Sequence, residues 1–271
     1  MLSAGQLLRR GQSHRRHERR SHRRGEAEDN PTAVRRYGDR QIRRTLSKYN
    51  TRQVSCTLAT GCELQMTAVG DVDALVDRMI EREGRLQRVE RFPYWAELWP
   101  TALAMAQWFC HAEEPIPRGW ACELGCGLGL VGIALAKLGW RVEATDFVED
   151  ALIFAAHNAR LNRVQHNHRV AYLDWRNPVG GPYECLVGSD IIYEKKNHRY
   201  LERILRKLLL PGGRFYLGDP QRKDAAAFVA RLVAQGYSQR RETHVETWNS
   251  VEHQVAIYVF TKPQDASRAL R

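Results

Sequence analysis

Along residues 120–262 apolar and polar positions alternate between two periods. "WACEL" (120–124), "RVEATD" (141–146), "HRVAYLD" (168–174), "YECLVGSD" (183–190), "RFYLGD" (214–219) and "VEHQVAIYVFTK" (251–262) are short apolar runs of strand character. Between them "LVGIALAKLG" (130–139), "VEDALIFAAHNARLN" (148–162), "NHRYLERILRKLLL" (197–210) and "KDAAAFVARLVAQG" (223–236) repeat at helical spacing. The third of these helices stops at Pro211-Gly212-Gly213. Strands alternating with helices of this length predict parallel βαβ units in an open α/β sheet, with ligands beyond the carboxyl ends of the strands.

Upstream the pattern differs. "VSCTLATGCELQMTAV" (54–69) predicts a hairpin turning at Thr60-Gly61, and "DVDALVDRMIEREG" (71–84) a helix capped by Asp71 and ended by Gly84. "RFPYWAELWP" (91–100) is an aromatic connector into a helix over 101–110. The longest apolar runs, "LVGIALA" and "VAIYVF", are far shorter than the ~18 residues of a membrane span, so no membrane partner is expected.

Charge changes the picture at the N-terminus. The chain of 271 residues carries +11, but residues 1–45 hold 13 Arg and no Lys against 5 acids, leaving only +3 for the rest. "RRGQSHRRHERRSHRR" has no apolar periodicity, and residues 1–45 are expected to be a disordered Arg-rich tail. Three roles fit it: weak contact with RNA or another polyanion, an organellar targeting segment, or an incidental extension. No apolar h-region of a secretory signal precedes it. The six cysteines form no C-x-x-C and no zinc spacing, which predicts a reducing compartment, such as the cytoplasm, and no structural metal.

The candidate chemistry begins at "ELGCGLGLVG" (123–132). From Gly127 it reads G-x-G-x-x-G, a dinucleotide fingerprint ending at Gly132. From Glu123 it reads E-x-G-x-G-x-G, with Gly125, Gly127 and Gly129 between a strand and a helix, a pattern typical of S-adenosylmethionine sites. Asp146, at the end of the second strand, suits the ribose hydroxyls of either cofactor. Glu123 distinguishes them: a carboxylate before the glycine turn suits a cationic ammonium and opposes a pyrophosphate. Asp174 and Trp175 follow the third strand, where they suit an adenine amino group and its ring. Asp190 and Tyr193, in "GSDIIYE" (188–194), are polar groups at the cleft end of an apolar run.

Taken together, the E-x-G-x-G-x-G loop, Asp146, the Asp174-Trp175 pair and the D-x-x-Y of Asp190 and Tyr193 resemble the seven-β-strand class I methyltransferases. More narrowly they resemble the group holding the lysine methyltransferases of valosin-containing protein, Hsp70 and electron transfer flavoprotein β, some once labelled nicotinamide N-methyltransferase-like. "YWAELWPTALAMAQWF" (94–109) fits the same group, Trp99 matching a Trp that covers the cofactor. The resemblance spans residues ~90–262 and has no counterpart for the Arg-rich tail.

The resemblance implies a Rossmann-like, doubly wound, mostly parallel sheet of seven strands with the last antiparallel, carrying an N-terminal hairpin and helix. Pattern, charge and resemblance together give the expected organisation: a tail (1–45), a hairpin and helix on the core (46–90) and a catalytic domain (91–265). The resemblance implies a monomeric S-adenosyl-L-methionine-dependent N-methyltransferase acting on a lysine of a protein substrate. Asp190 and Tyr193 would position the amine, and Ser189 would join the cofactor-lining residues. A small-molecule amine acceptor stays open, as does a non-catalytic module binding RNA through its tail. Glu97 is a weaker candidate for the substrate entrance, and "GDPQRKD" (218–224) matches no known recognition motif.

Overall fold

The computed structural model describes residues 33–83 and 93–264. In chain order β1 (Ala33–Arg35) and α1 (Asp39–Leu46) come first. The hairpin β2 (Thr51–Thr57) and β3 (Glu63–Val69), α2 (Val72–Glu83), a 3-10 turn at Tyr94–Ala96 and α3 (Pro100–His111) follow. Next come β4 (Trp120–Leu124), α4 (Leu130–Lys137), β5 (Arg141–Asp146), α5 (Glu149–Leu161), β6 (His168–Tyr172) and β7 (Tyr183–Ser189). The chain continues through α6 (Lys195–Leu208), β8 (Leu209–Asp219), α7 (Ala225–Ala234), β9 (Ser238–Trp248) and β10 (Val251–Thr261).

The sheet order is β1-β6-β5-β4-β7-β8-β10-β9. Strands β6, β5, β4, β7 and β8 are parallel, β10 is antiparallel to both its neighbours, and β1 is antiparallel to β6. From β4 the chain winds outward through β5 and β6, then returns to β7 and β8 on the other side. That reversal opens a crevice at the carboxyl ends of β4 and its neighbours.

Period-two alternation builds both faces of the sheet. Cys122, Leu124, Leu186, Phe215 and Leu217 pack on Leu201, Ile204, Leu205 and Phe228 of α6 and α7. Their strand neighbours Ala121, Val187 and Tyr216 face Met105, Trp108, Val131 and Leu135 of α3 and α4. The hairpin turn at Thr60-Gly61 forms where the sequence predicts it. It covers α5 and α3 with Leu58, Leu64 and Met66.

Three expectations are corrected. The sheet has eight strands rather than seven, because β1 adds an antiparallel edge. Both β1 and α1 lie inside the segment expected to be a disordered tail, whose residues 1–32 fall outside the described part. Burial of Tyr37 and Ile42 anchors this piece, and the Tyr37 hydroxyl donates to Glu149 Oε1 at 2.9 Å. The third is β9, "SQRRETHVETW", which has no apolar run: as an outer edge strand it is mostly exposed, so it carries no hydrophobic signal. Among the described residues no helix is long and apolar enough to cross a membrane.

Candidate active site

The carboxyl ends of β4, β5 and β7 and the loop after β6 open on a cleft of about 1050 Å³, closed from above by Tyr94, Trp95 and Trp99. Glu123, Gly125, Gly127, Asp146, Asp174, Trp175, Ser189, Asp190 and Tyr193 all line it, so residues spread over seventy positions meet in one place.

The loop after β4 is held by the chain itself. Gly127, at φ +51°, passes the Trp95 carbonyl so closely that a Cβ would stand 3.2 Å from its oxygen. Its N–H donates to Asp146 Oδ2 at 3.1 Å, while Asp146 Oδ1 accepts from Val148 at 2.9 Å. Asp146 therefore ties the glycine turn to the end of β5. Burial raises its pKa, and the backbone N–H groups of Val148 and Gly127 work against that rise. Gly129 has a structural role in the same turn. It caps α4 in the left-handed region, and its missing side chain lets α4 approach Ala155 of α5.

Glu123 is buried under α4, and burial pushes its carboxyl up to about 8, with the Gly132 N–H opposing and Asp146 reinforcing. Its Oε2 and the Ser189 hydroxyl oxygen are buried without hydrogen-bond partners among the described residues. Glu123 Oε2 is aimed at Gly132 of α4, and neither atom is open to solvent.

At the mouth, Asp174 is committed to Arg176, whose Nε and Nη2 donate at 2.9 and 2.6 Å. That hydrogen bonding lowers the Asp174 pKa. Trp175 packs inward, its ring edge 3.2 Å from where a Gly125 Cβ would stand.

The other end of the cleft follows β7. Asp190 sits at φ +53°, buried, and receives a two-pronged bond from Arg222, Nε to Oδ1 at 2.7 Å and Nη2 to Oδ2 at 2.9 Å. The Tyr193 ring lies 4.6 Å from that of Tyr94, and burial, with Glu194 and Tyr94 beside it, raises its pKa so that it stays a donor. Trp99 is steered by its indole N–H, which donates to the Tyr94 carbonyl at 2.9 Å. Glu97 accepts from Arg52 at 3.4 Å and lines the cleft.

Residues 94–234, just over half of the chain, match the family described as lysine methyltransferase. The chain belongs to that lysine methyltransferase family. The match contains the glycine turn, Asp146, the Asp190–Tyr193 loop and Arg222, and ends before β9. Mouse EEF1A lysine methyltransferase 3 is 31% identical over 148 residues, 52% of this chain and 63% of that protein. Zebrafish protein N-lysine methyltransferase METTL21A is 32% identical over 121 residues, 42% of this chain and 55% of the relative. Ubiquinone biosynthesis O-methyltransferase of Xanthomonas campestris is 26% identical over 137 residues, 47% and 57%. The chain thus spans roughly 55 to 63% of the length of these three relatives.

The folded chain brings in three further residues that the sequence pattern left unassigned. Tyr94 hid in an aromatic-rich connector. Phe147, 51% exposed on the cleft wall, follows Asp146 at the end of β5. Arg222 lies in the unmatched "GDPQRKD" and had no local signal at all.

Proposed function

We propose that this chain is an S-adenosylmethionine-dependent methyltransferase that acts on a lysine side chain of a protein substrate. One observation carries the reading: a single cleft holds a turn-and-carboxylate cradle at one end and a Tyr94–Tyr193–Asp190 group at the other. The two protein lysine methyltransferases among the relatives support the choice of acceptor.

The residues present fit the cofactor. Asp146 keeps free lone pairs for a ribose diol after accepting its two backbone bonds. Phe147 offers an exposed ring beside it. Glu123 and Ser189 line the cleft at the glycine turn and suit the polar amino-acid end, where an ammonium would favour Glu123 as the carboxylate. Trp175 and Trp99 add apolar walls. A dinucleotide pyrophosphate would instead meet the Glu123 carboxyl at the same turn.

When bound, the cofactor supplies a methyl group already activated by positive sulfur. The chain's own work is then alignment and exclusion of water. Tyr193 remains protonated and donates; Asp190, taken up by Arg222, is a positioning group rather than a base. The aromatic cover of Tyr94, Trp95 and Trp99 shields the reacting end from solvent.

The test is incubation with radiolabelled S-adenosylmethionine and a lysate of the source cells. A labelled protein band whose mass spectrum carries methyl-lysine is the expected result. Label confined to small molecules would overturn the protein acceptor. Stabilisation by NAD(H) but not by S-adenosylhomocysteine would overturn the cofactor. Asp190→Ala is expected to keep S-adenosylhomocysteine binding and lose transfer.

A further inference from the structure

Asp219 ends β8, and its Oδ1 accepts the Arg222 N–H at 2.8 Å, folding residues 219–222 into a tight turn. The turn aims the Arg222 side chain at the loop after β7. There its fork takes both oxygens of Asp190, and its Cζ lies 5.8 Å from the Tyr193 ring centre. Asp190 is fixed in its turn by its own N–H, which donates to the Gly218 carbonyl at 2.9 Å. Arg222 is not part of the cleft wall, yet it holds Asp190, which lies on the same loop as Tyr193.

We propose that Arg222 is a positioning residue that sets the protonation state of the acceptor, clamping Asp190 so that the acceptor end of the cleft is electrically neutral and receives an unprotonated amine. This rests on the reading of the chain as an amine methyltransferase. A lone buried carboxylate beside Tyr193 would hold an alkylammonium as an ion pair and keep its lone pair occupied by a proton. A two-pronged guanidinium contact removes that pull, because both oxygens and the charge are already matched.

The surrounding groups leave this balance to Arg222. Tyr94 and Tyr193 face the same space, and Tyr193 is held protonated by burial. Glu194 is met by Lys196 at 3.3 Å and by Asn197 at 3.0 Å. At the start of α7, Asp224 is paired with Lys195 at 2.9 Å. Burial raises the pKa of Asp219, whose Oδ2 has no partner among the described residues, and Asp146 stands across the cleft. Exposed Lys223 is the remaining cation on the loop.

The test compares wild type with Arg222→Met and Arg222→Lys. The rate of label transfer into the substrate band is followed across neutral and alkaline pH at saturating S-adenosylmethionine. The rising limb is expected to move up by about one pH unit in the Met variant, where the Asp190 carboxylate is left without its countercharge. In the Lys variant the limb stays in place, with a lower rate from the lost fork. Binding of n-butylammonium, a surrogate for the lysine side chain, is measured in parallel on the S-adenosylhomocysteine complex at neutral pH. The Met variant is expected to bind it about tenfold more tightly than wild type. Superimposable limbs with equal n-butylammonium affinity would overturn the proposal. So would an equal rate loss in both variants without displacement, which would mean that Arg222 merely holds the loop. Should wild type label no protein, the functional reading fails, and n-butylammonium affinity alone then decides the role of Arg222. Arg222→Gln replaces the Met variant if the latter does not fold.

Discussion

Glu123 and His168 are buried on the same face of the sheet and converge on one residue of α4, Gly132. A Cβ at Gly132 would collide with Glu123 Oε2 and stand 3.1 Å from His168 Nε2. Neither His168 nitrogen has a hydrogen-bond partner among the described residues. Burial holds the imidazole neutral, with a pKa down to about 4, and pushes the carboxyl up to about 8.

The two residues make opposite contributions to stability as pH changes. Glu123 binds its proton more tightly folded than unfolded, so its contribution is full below 4.5 and is lost as pH rises to about 8. His168 binds its proton less tightly folded, so its contribution is full above 6.5 and is lost as pH falls to about 4. Between 4.5 and 6.5 they cancel, and above 6.5 Glu123 acts alone. Chemical denaturation of the cofactor-free protein should therefore weaken from pH 6.5 to 8, by on the order of 1–2 kcal/mol. Glu123→Gln should abolish that decline and expose the acid loss from His168. An unchanged decline in the variant would exclude Glu123 as its source.

Gly132→Ala should cost about 1–3 kcal/mol, because the added methyl must displace the buried Glu123 carboxyl and crowds the His168 and Val142 side chains. The loss should shrink in the Glu123→Ala background, since the colliding oxygen is then gone. Equal losses in both backgrounds, measured by urea denaturation, would show that the helix rather than the carboxyl resists.

Asp146→Asn places an NH2 group against either the Gly127 or the Val148 N–H. Loss of that bond and of the diol acceptor should weaken S-adenosylhomocysteine binding at least about tenfold by calorimetry. Phe147→Ala should weaken it several-fold with almost no change in Tm, because the ring is half exposed. A large Tm loss in the Phe147 variant would contradict a ligand-facing role.

Asn158 on α5 and Asn162 at its C-cap lie one turn apart and pair with alternate residues of β3. Asn158 accepts from Thr67 N–H at 2.8 Å and donates to its carbonyl at 3.1 Å; Asn162 does the same with Gln65 at 2.9 and 2.7 Å. Four helical residues rise ~6 Å and two strand residues ~6.7 Å, so the amides match the strand edge. Asn158→Ala should cost about 1–3 kcal/mol and speed hydrogen exchange at the Thr67 amide more than at core strands. Uniform acceleration would mean that the hairpin does not detach separately.

Much of the site was legible because its residues sit at strand ends, where a polar group after an apolar run stands out. Glu123, Asp146, Asp174, Ser189 and Asp190 all fall on such positions, and all line the cleft. The packing role of Gly129 against Ala155 was not legible, because the turn requires glycine for two reasons, ligand approach and helix packing, and the letters look alike. β9 and β1 were missed because edge strands need no apolar run. Arg222 was illegible: a guanidinium thirty-two positions from its carboxylate leaves no periodic trace.

The chain's order of strands and helices, its glycine turn and its strand-end acids follow from local periodicity and composition, which depend only on neighbours in sequence. Tertiary structure decided what those groups do to one another. It turned Glu123 beneath α4 toward His168, gave both oxygens of Asp190 to Arg222, and committed Asp174 to Arg176 at the mouth. Burial and charge pairing are properties of distance in space, and only the folded chain sets those distances.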